Sequence, residues 1–359
     1  MATEDFTSYT EVDEDADITV TASKCDVSTM RRDALSYVRF DYGENYFTNF
    51  ESHVTVGAGA ETDDNANVGV WALSNGSNTE EQMSTNGEGI KVYFYYEAAS
   101  GGLQLYLTDF DSANEDLSVL AASTPYYLII RRIGTLVTCE IYSDAVHETL
   151  VDTLTVTGTA LAYRYIYGVV SRQSDSSPAA SLSAYCENLE LYQLTTEFTD
   201  GLEDQTFNKW SNGSANWQIG TTGSGGYDPH SGDRDAWLAA GDAGDLISDD
   251  IDLSGASTAI VDFWILKDDI EASDFILHFY NGVGYDQIID LDTLGADDVW
   301  LRYTAVLSGA YLISNFRLRF EGSPDANENV YVDDVAVYMV AAPAGAGMQL
   351  YTLINEMRY

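Results

Sequence analysis

Basic residues are scarce in this chain of 359 residues. Lysine and arginine together number 16 against 58 aspartates and glutamates, which gives a formal net charge of -42. The lysines are Lys24, Lys91, Lys209 and Lys267. Such a surface repels the phosphates of nucleic acids and of anionic lipid headgroups. We therefore expect no nucleic-acid partner and no membrane insertion.

The beginning of the sequence lacks an export signal. Met1-Ala-Thr-Glu-Asp5 contains no basic residue, and no apolar run typical of a signal peptide follows it. No apolar stretch reaches the roughly 20 residues that a membrane-spanning helix needs. Virion proteins act outside a cell without such a signal, because they are assembled in the host cytoplasm. The sequence therefore favours the surface of a virion as the place where the protein acts.

Cysteine is also rare, and its three positions are Cys25, Cys139 and Cys186. An odd number at these spacings provides neither a disulfide framework nor a zinc-binding pattern. Cys139 and Cys186 lie within apolar runs, so we expect both thiols to be small buried core groups.

The acidic residues are spread between apolar runs rather than gathered in a tail. Self-repulsion of this size destabilises a compact chain at low ionic strength, whereas at molar salt the Debye length falls to about 3 Å. Low lysine content combined with abundant aspartate resembles the proteins of extreme halophiles. We therefore expect a halophilic protein, and the alternative is an acidic surface protein of a mesophile that binds calcium.

Short apolar runs separated by turn residues recur along the first 340 residues. Asn75-Gly76 and Asn86-Gly87 are typical of hairpin turns, and no helical periodicity of useful length is present. Many short strands at even spacing favour β-sandwiches. We predict an all-β fold of two tandem antiparallel β-sandwich (jelly-roll) domains, at residues 1–194 and 195–340, followed by a short C-terminal tail at residues 341–359.

The first domain contains three segments with a family pattern: Tyr127-Leu-Ile-Ile-Arg131, Leu136–Asp144 and the closing strand Tyr185–Leu191. In order and spacing they resemble the concanavalin-like or laminin-G-like (LamG) jelly roll. The resemblance implies a protein that binds glycans or other proteins, and a minority of such domains are glycosidases.

The second domain opens with Glu197-Phe-Thr-Asp-Gly-Leu202, continues through the strand Ile260-Val-Asp-Phe-Trp-Ile265 and closes with Asn329–Tyr338. This order resembles the jelly roll of MAM domains and of carbohydrate-binding modules (CBMs). The resemblance covers the whole second domain and implies a fold more firmly than it implies a ligand.

The second resemblance also implies a structural calcium site that joins the opening strand, the loop before Trp237 and the closing strand. Transferred to this sequence, the ligands are Asp200, Asp233 and one of Asp333 and Asp334, since calcium prefers carboxylate and carbonyl oxygens. The alternative is that these are ordinary aspartates of a halophilic surface.

No catalytic motif accompanies these patterns. Glycosidases of the concanavalin-like class have Glu-x-Asp-x-x-Glu on one strand. The nearest match, Glu11-Val-Asp-Glu-Asp-Ala-Asp17, has Ala16 where the third carboxylate belongs. The four histidines show no metal-binding spacing, and no Gly-x-Ser-x-Gly segment is present. We therefore predict that the protein is not an enzyme, with a polysaccharide-degrading enzyme as the less favoured alternative.

Residues near loops of the second domain are candidates for glycan or receptor binding: Trp210, Trp217, Tyr227, Asp228 and His230, with Trp237 as a further aromatic residue beside the same loops. Aromatic rings present large amphipathic surfaces that can stack on the apolar C–H faces of sugars. Loops held by a rigid sandwich commonly carry binding residues. The alternative for each aromatic residue is an ordinary place in the core or at its rim.

Together these features predict a virion surface protein of a tailed virus that infects a halophile. It would be a capsid turret, a head decoration or a tail-fibre subunit, would form a symmetric homo-oligomer, and would bind a host surface glycan or S-layer. The apolar tail Met348–Tyr359 follows a small-residue linker, so it either docks on another virion protein or frays or adds a strand to its own domain. A secreted glycan-binding accessory module of a halophilic microbe is the alternative.

We expect the stability of the protein to depend strongly on salt. Raising KCl from about 0.1 M to about 2 M shortens the Debye length from roughly 10 Å to below about 3 Å, which screens the repulsion between carboxylates. The melting temperature, followed by circular dichroism, should therefore rise steeply over this range. An unchanged melting temperature would contradict the halophile interpretation.

Overall fold

The computed structural model describes residues 3–60, 63–76, 78–100, 102–159, 161–174, 179–212 and 216–341. The predicted C-terminal tail lies outside the described residues except for its first position. The described chain is almost entirely β-structure in antiparallel sheets, which confirms the predicted all-β sandwich fold. It divides into two compact units, unit 1 up to Gln193 and unit 2 from Leu194.

Unit 1 contains mostly short strands joined by turns. Its strands are β1 Thr10–Asp13, β2 Ile18–Val20, β3 Lys24–Arg31, β4 Ser36–Asp41, β5 Phe50–Ala58, β6 Ala66–Ser74, β7 Ile90–Glu97, β8 Gly102–Asp109, β9 Asn114–Val119, β10 Tyr126–Ile133, β11 Leu136–Tyr142, β12 Leu150–Thr157, β13 Tyr165–Ser171 and β14 Ser181–Asp200. Its described helical elements are helix α1 Glu80–Asn86 and 3-10 turns at Phe6–Ser8 and Ala98–Ser100. The end of β14, from Leu194, belongs to unit 2.

Two antiparallel sheets enclose the core of unit 1. One has the order β1-β4-β13-β6-β7-β8-β9, and the other has the order β12-β11-β10-β5-β14-β3-β2. In β11, Val137, Cys139 and Ile141 are buried in the core while the residues between them are half-buried on the opposite face, as the two-residue period of a strand requires. The three cysteines are buried free thiols, as expected for Cys139 and Cys186.

Helix α1 packs on the outer face of the first sheet. Met83 of the helix and Ala72 of β6 belong to one buried apolar cluster. Gly87 ends the helix in the left-handed conformation, with φ of 59°. The prediction of a hairpin turn at Asn86-Gly87 is therefore wrong, because the left-handed glycine that suits a hairpin turn also suits a helix C-terminus.

The same helix brings a carboxylate to a buried lysine. Lys91 on β7 is completely buried, and its ammonium group contacts the carboxylate of Glu80. Glu80 also forms an ion pair with Arg172, with 3.2 Å between Arg172 Nη1 and Glu80 Oε1. Burial lowers the pKa of Lys91 to about 8, and the attraction of Glu80 opposes that shift. Glu80 therefore keeps a buried cation charged and holds the helix on the sheet.

Unit 2 follows with a second set of strands. They are β15 Trp210–Asn212, β16 Trp217–Gly220, β17 Asp235–Leu238, β18 Gly244–Ser248, β19 Ala256–Asp268, β20 Phe275–Tyr280, β21 Tyr285–Asp290, β22 Leu301–Leu307, β23 Leu318–Gly322 and β24 Asn329–Ala341. Two 3-10 turns lie at Leu291–Thr293 and Gly309–Tyr311. No helix in the described part of either unit is long and apolar enough to cross a membrane.

β24 is the central strand of one sheet of unit 2. It pairs with β19 along one edge and with β17 and the end of β14 along the other, and β16 and β22 lie beyond them. The opposing sheet has the order β15-β18-β23-β20-β21. The ring of Phe320 lies 4.9 Å from that of Phe263 and 6.3 Å from that of Phe275, so aromatic side chains from both sheets fill the core.

We expect Glu80→Gln to destabilise unit 1 by about 3–5 kcal/mol, because it leaves the buried Lys91 ammonium without its counter-ion. Asp26→Asn is the matched control: it breaks the exposed Lys24–Asp26 pair and should cost less than about 1 kcal/mol. Urea unfolding of the full chain at constant high salt measures both changes. If the two variants unfolded at the same urea concentration, Glu80 would not be the anchor described above.

Candidate functional site

Strand alternation in unit 2 separates a core set of side chains from an outward set. The core set of β17 and β24 comprises Ala236, Leu238, Val330 and Val332. The alternate positions lie on the opposite face of the sheet, and they are Asp235, Trp237, Tyr331 and Asp333. Trp264 of β19 lies opposite Asp333, and Trp300 precedes β22. We call the face formed by these six residues the outer face of unit 2.

The loop between β16 and β17, residues 221–234, lies over this face. Tyr331 Oη donates a hydrogen bond to Ser224 O at 3.2 Å, and the ring of Tyr227 packs edge-on at 5.6 Å from the Tyr331 ring. A Cβ atom at Gly225, whose φ is 58°, would come within 2.1 Å of the Tyr331 hydroxyl. Glycine at this position therefore permits the close approach of the loop to the sheet.

Three of the predicted binding residues, Tyr227, Asp228 and His230, lie together in this loop. The imidazole of His230 stacks on the indole of Trp264, with ring centroids 3.7 Å apart and an interplanar angle of 15°. The carbonyl oxygen of Asp228 accepts a hydrogen bond from Trp300 Nε1 at 2.9 Å. The loop and the aromatic residues of the sheet thus form one surface.

The other two predicted binding residues belong to the core of unit 2. Trp210 is 6% exposed and packs edge-on against Phe198, with ring centroids 5.3 Å apart. Trp217 is 2% exposed, and its indole N–H donates to Gly244 O at 3.0 Å. The prediction that these two rings contact a glycan is therefore wrong, because neither offers an accessible face.

Acidic side chains converge beneath the loop. The carboxylate of Asp333, which is completely buried, accepts hydrogen bonds from the backbone N–H groups of Ser231 at 3.1 Å and Asp334 at 2.7 Å. The carboxylate of Asp334 accepts from Ser231 Oγ and lies 2.8 Å from His230 Nδ1. One ligand atom from each of His230, Asp333 and Asp334 lies within 4.8 Å of the others.

Asp235 adds a second buried carboxylate, and it has no ion-pair partner among the described residues. It is completely buried, and neither of its oxygens has a hydrogen-bond partner in the described part of the chain. The strand register places it beside Asp333, and a Cβ at Gly220 would lie 1.8 Å from Asp235 Oδ1. Burial raises the pKa of Asp235 to about 6; burial and the nearby Asp334 raise that of Asp333 to about 8. Each group therefore needs a proton or a cation.

We call Asp235, Asp333 and Asp334 the acidic centre. Their oxygens are the ligands that calcium prefers, and the two oxygens of Asp235 are free to bind. The imidazole of His230 suits zinc or copper better than calcium, and its stacking on Trp264 gives it a separate role. Asp333 and Asp334 place carboxylate oxygens within 4.8 Å of each other and of a His230 nitrogen, so this group fits a divalent cation; Asp235 lies beside the group and not within it.

The structure does not bring the other two predicted calcium ligands into this centre. Asp200 accepts hydrogen bonds from the backbone N–H of Leu202 at 2.9 Å and from the indole of Trp210 at 2.8 Å. Asp233 is exposed, and its backbone N–H donates to Glu203 Oε1 at 2.9 Å. Of the predicted calcium ligands, Asp333 and Asp334 therefore belong to the acidic centre, whereas Asp200 and Asp233 do not.

Sequence reasoning missed four residues of this site: Asp235, Trp264, Trp300 and Tyr331. The signal that could have revealed the strand residues is their alternation with core positions. Asp235 and Trp237, for example, alternate with the buried Ala236 and Leu238. A carboxylate at the start of an apolar strand, in phase with one aromatic residue, indicates a face other than the core face.

The comparisons with known proteins concern the fold. No protein-family model matches the sequence, and no curated protein matches it. TmCBM61 in complex with beta-1,4-galactotriose has 15% identity over 39% of this chain and 94% of its own, with a TM-score of 0.29. The CBM22-1–CBM22-2 tandem domain of Xyn10C from Paenibacillus barcinonensis has 13% identity over 94% and 97%, with a TM-score of 0.30. The exoplasmic/lumenal domain of VIP36, in a Ca2+/Man3GlcNAc-bound form, has 9% identity over 56% and 92%, with a TM-score of 0.39. These structures are carbohydrate-binding modules and a lectin-like domain.

We expect calcium to stabilise unit 2 most strongly at alkaline pH. The raised pKa values of Asp235 and Asp333 mean that the folded chain holds protons that the unfolded chain releases near pH 4. Without a metal, stability should therefore fall as the pH rises from about 4 to about 8. In EDTA at constant high KCl, the melting temperature should fall over this range, and calcium chloride should reverse the fall.

Two variants test the location of that effect. Asp333→Asn should make the melting temperature insensitive to calcium, whereas Asp233→Asn changes an exposed aspartate and should leave the calcium response intact. Identical pH profiles in EDTA and in calcium for the unmodified chain would contradict a cation at the acidic centre.

Proposed function

We propose that the protein is a non-catalytic glycan-binding protein on the surface of a virion that infects a halophile. It would serve as a capsid turret, a head decoration or a tail-fibre subunit, would form a homo-oligomer, and would bind a host surface glycan or S-layer. The observation that carries the proposal is the outer face of unit 2, where Trp237, Trp264 and Trp300 are all partly exposed. The three indoles share one sheet face, and His230 covers one face of the Trp264 ring, so a ligand meets the uncovered surfaces of these rings.

The chemistry of this face suits a sugar. Indole rings pack against the apolar C–H faces of a pyranose, and polar groups at the edge of a site fix the orientation of its hydroxyls. The carboxylates of Asp228 and Asp298 are exposed beside the aromatic rings, and Tyr227 Oη donates a hydrogen bond to Asp298. Because molar salt screens attraction beyond a few ångströms, short-range contacts of this kind have to provide the affinity.

The proposal includes a structural calcium ion at the acidic centre. When bound, the ion would neutralise the buried carboxylates of Asp235 and Asp333. The backbone N–H of Ser231 donates to Asp333, and the side chain of Ser231 donates to Asp334. The acidic centre therefore also anchors the loop that contains Tyr227, Asp228 and His230.

The amino-acid composition supports the proposal that the protein acts on a virion in a high-salt environment. A net charge of -42 opposes compact folding through self-repulsion where salt is low, and molar salt screens that repulsion. The apolar segment Met348–Tyr359 provides contacts for neighbouring virion proteins. Mass spectrometry of purified virions grown on a halophilic host tests the proposed location. The protein has to be a component of those virions, and its absence from them would contradict the proposal.

We expect Trp264→Ala combined with Trp300→Ala to weaken glycan binding by roughly tenfold or more, because buried aromatic contacts dominate the binding energy of most interfaces. The measurement is binding to an array of neutral galactan, xylan and mannan fragments and to intact host cells at high KCl. Tyr280→Ala is the control, because Tyr280 is half-buried on the opposing sheet. Equal loss in the control, or full binding by the double variant, would exclude the outer face as the binding site.

A further inference from the structure

A second group of aromatic side chains lies on unit 1, on the outward face of the sheet that contains β5, β10, β11 and β14. The ring of His147 is central: its centroid lies 5.0 Å from that of Tyr142, 5.5 Å from that of His53 and 6.5 Å from that of Tyr127. The ring of Tyr192 lies 5.2 Å from that of His53. We call these five residues the unit 1 aromatic cluster. They come from distant parts of the sequence, so the fold is what gathers them.

The loop between β11 and β12 holds His147 in position. The carboxylate of Asp144 accepts backbone hydrogen bonds from Val146 at 3.1 Å, Glu148 at 3.1 Å and Thr149 at 2.7 Å. His147 itself has a φ of 56°, a left-handed conformation that is uncommon and costly for a residue other than glycine. Together with the hydrogen bonds to Asp144, this conformation places the imidazole on the face of the sheet.

Charged side chains form a hydrogen-bonded layer beneath the rings. Arg131 is buried and donates from Nε to Glu51 Oε2 at 2.8 Å, and its Nη1 lies 3.4 Å from Glu140 Oε1. The other oxygen of Glu51 lies 2.8 Å from His53 Nε2. Two carboxylates therefore share one guanidinium, so this layer disfavours an anionic ligand.

The same face continues to a cavity of about 240 Å³. On β5, Thr55 lies opposite Tyr127 of β10, and Gly57 lies opposite Tyr185 of β14. Thr55 and Gly57 are two residues apart, so Tyr127 and Tyr185 lie on the same face of the sheet. A Cβ at Gly57 would lie 2.6 Å from the Tyr185 ring, so glycine allows the ring to lie on the strand. Polar groups complete the lining of the cavity, among them Asp26, Ser123, Thr124 and Ser183.

We propose that this face of unit 1 is a second carbohydrate-binding site that takes a neutral oligosaccharide. The half-buried rings of Tyr127, Tyr142 and His147 offer surfaces to C–H faces, while the buried Tyr192 supports the cluster from within. The carboxylates and hydroxyls around the cluster offer partners to sugar hydroxyls. The cavity is smaller than the roughly 300–1,000 Å³ typical of pockets that enclose a whole ligand. It therefore accommodates a single sugar residue beside Tyr185, where Lys24 Nζ lies 4.3 Å from the ring centroid and can donate to a sugar hydroxyl. The rest of the oligosaccharide lies along Tyr127, Tyr142 and His147.

The test uses the full chain with Trp264→Ala and Trp300→Ala, so that the outer face of unit 2 is removed. Saturation-transfer NMR and calorimetric titration measure binding of cellohexaose, xylohexaose and mannohexaose at high KCl. We expect residual binding to at least one of them. Adding Tyr127→Ala and Tyr185→Ala should reduce that binding by roughly tenfold or more, whereas Tyr127→Phe and Tyr185→Phe keep the rings and should retain it.

Tyr106→Ala is the matched control, because Tyr106 is a half-buried tyrosine on the other sheet of unit 1, and it should leave the binding unchanged. The proposal is overturned if none of the three oligosaccharides binds the starting variant, or if Tyr106→Ala weakens binding as much as the changes at Tyr127 and Tyr185. Full binding that depends only on Tyr127 and Tyr185 would support this site while removing the proposed role of unit 2.

Discussion

The protein has few lysine and arginine side chains to neutralise its buried acidic groups, and the places where those few are used determine which buried carboxylates are paired. With 58 acidic side chains and 16 basic ones, most carboxylates have to face water and salt. Several buried or half-buried basic side chains each hold a specific acid, whereas the buried Arg132 donates to the backbone carbonyls of Gly134 and Thr159. In unit 2, Arg302 donates two hydrogen bonds to Asp262, at 2.7 and 2.8 Å, across the β19–β22 pair. In unit 1, Arg131 and Lys91 hold Glu51 and Glu80 in the same way.

At the acidic centre, no lysine or arginine among the described residues pairs with the buried carboxylates. Asp235 and Asp333 are completely buried with no basic partner among the described residues, and their raised pKa values record the cost. A pair of buried carboxylates without a basic partner is expensive in any fold, so the pair requires protons or a cation. Because Asp333 and Asp334 also hold Ser231, whatever neutralises the centre controls the loop above the aromatic residues. Stability and ligand recognition in unit 2 are therefore linked through one set of side chains.

The sequence predicted the fold class well because strand alternation and turn residues are local signals. Helix α1 escaped prediction because its seven residues, Glu80–Asn86, are too few for a helical period to show. The acidic centre was partly accessible: Asp333 and Asp334 followed from a family resemblance, and Asp235 was visible in the alternation of β17. The sequence could not decide whether Trp210 lies in the core or on a binding surface, because its burial depends on packing against Phe198 and against Phe320, which is distant in sequence.

Six tryptophans allow the central claim, a glycan-binding outer face on unit 2, to be tested within one molecule. Trp71, Trp210 and Trp217 are buried in the two cores, whereas Trp237, Trp264 and Trp300 are partly exposed on the outer face. The decisive measurement is the set of indole N–H signals in heteronuclear NMR spectra during titration with neutral galactan, xylan and mannan fragments at high KCl. The account predicts that the signals of the three outer-face indoles shift together while those of the three core indoles stay in place. If the outer-face signals stay unchanged while the protein binds the oligosaccharide, the account is contradicted.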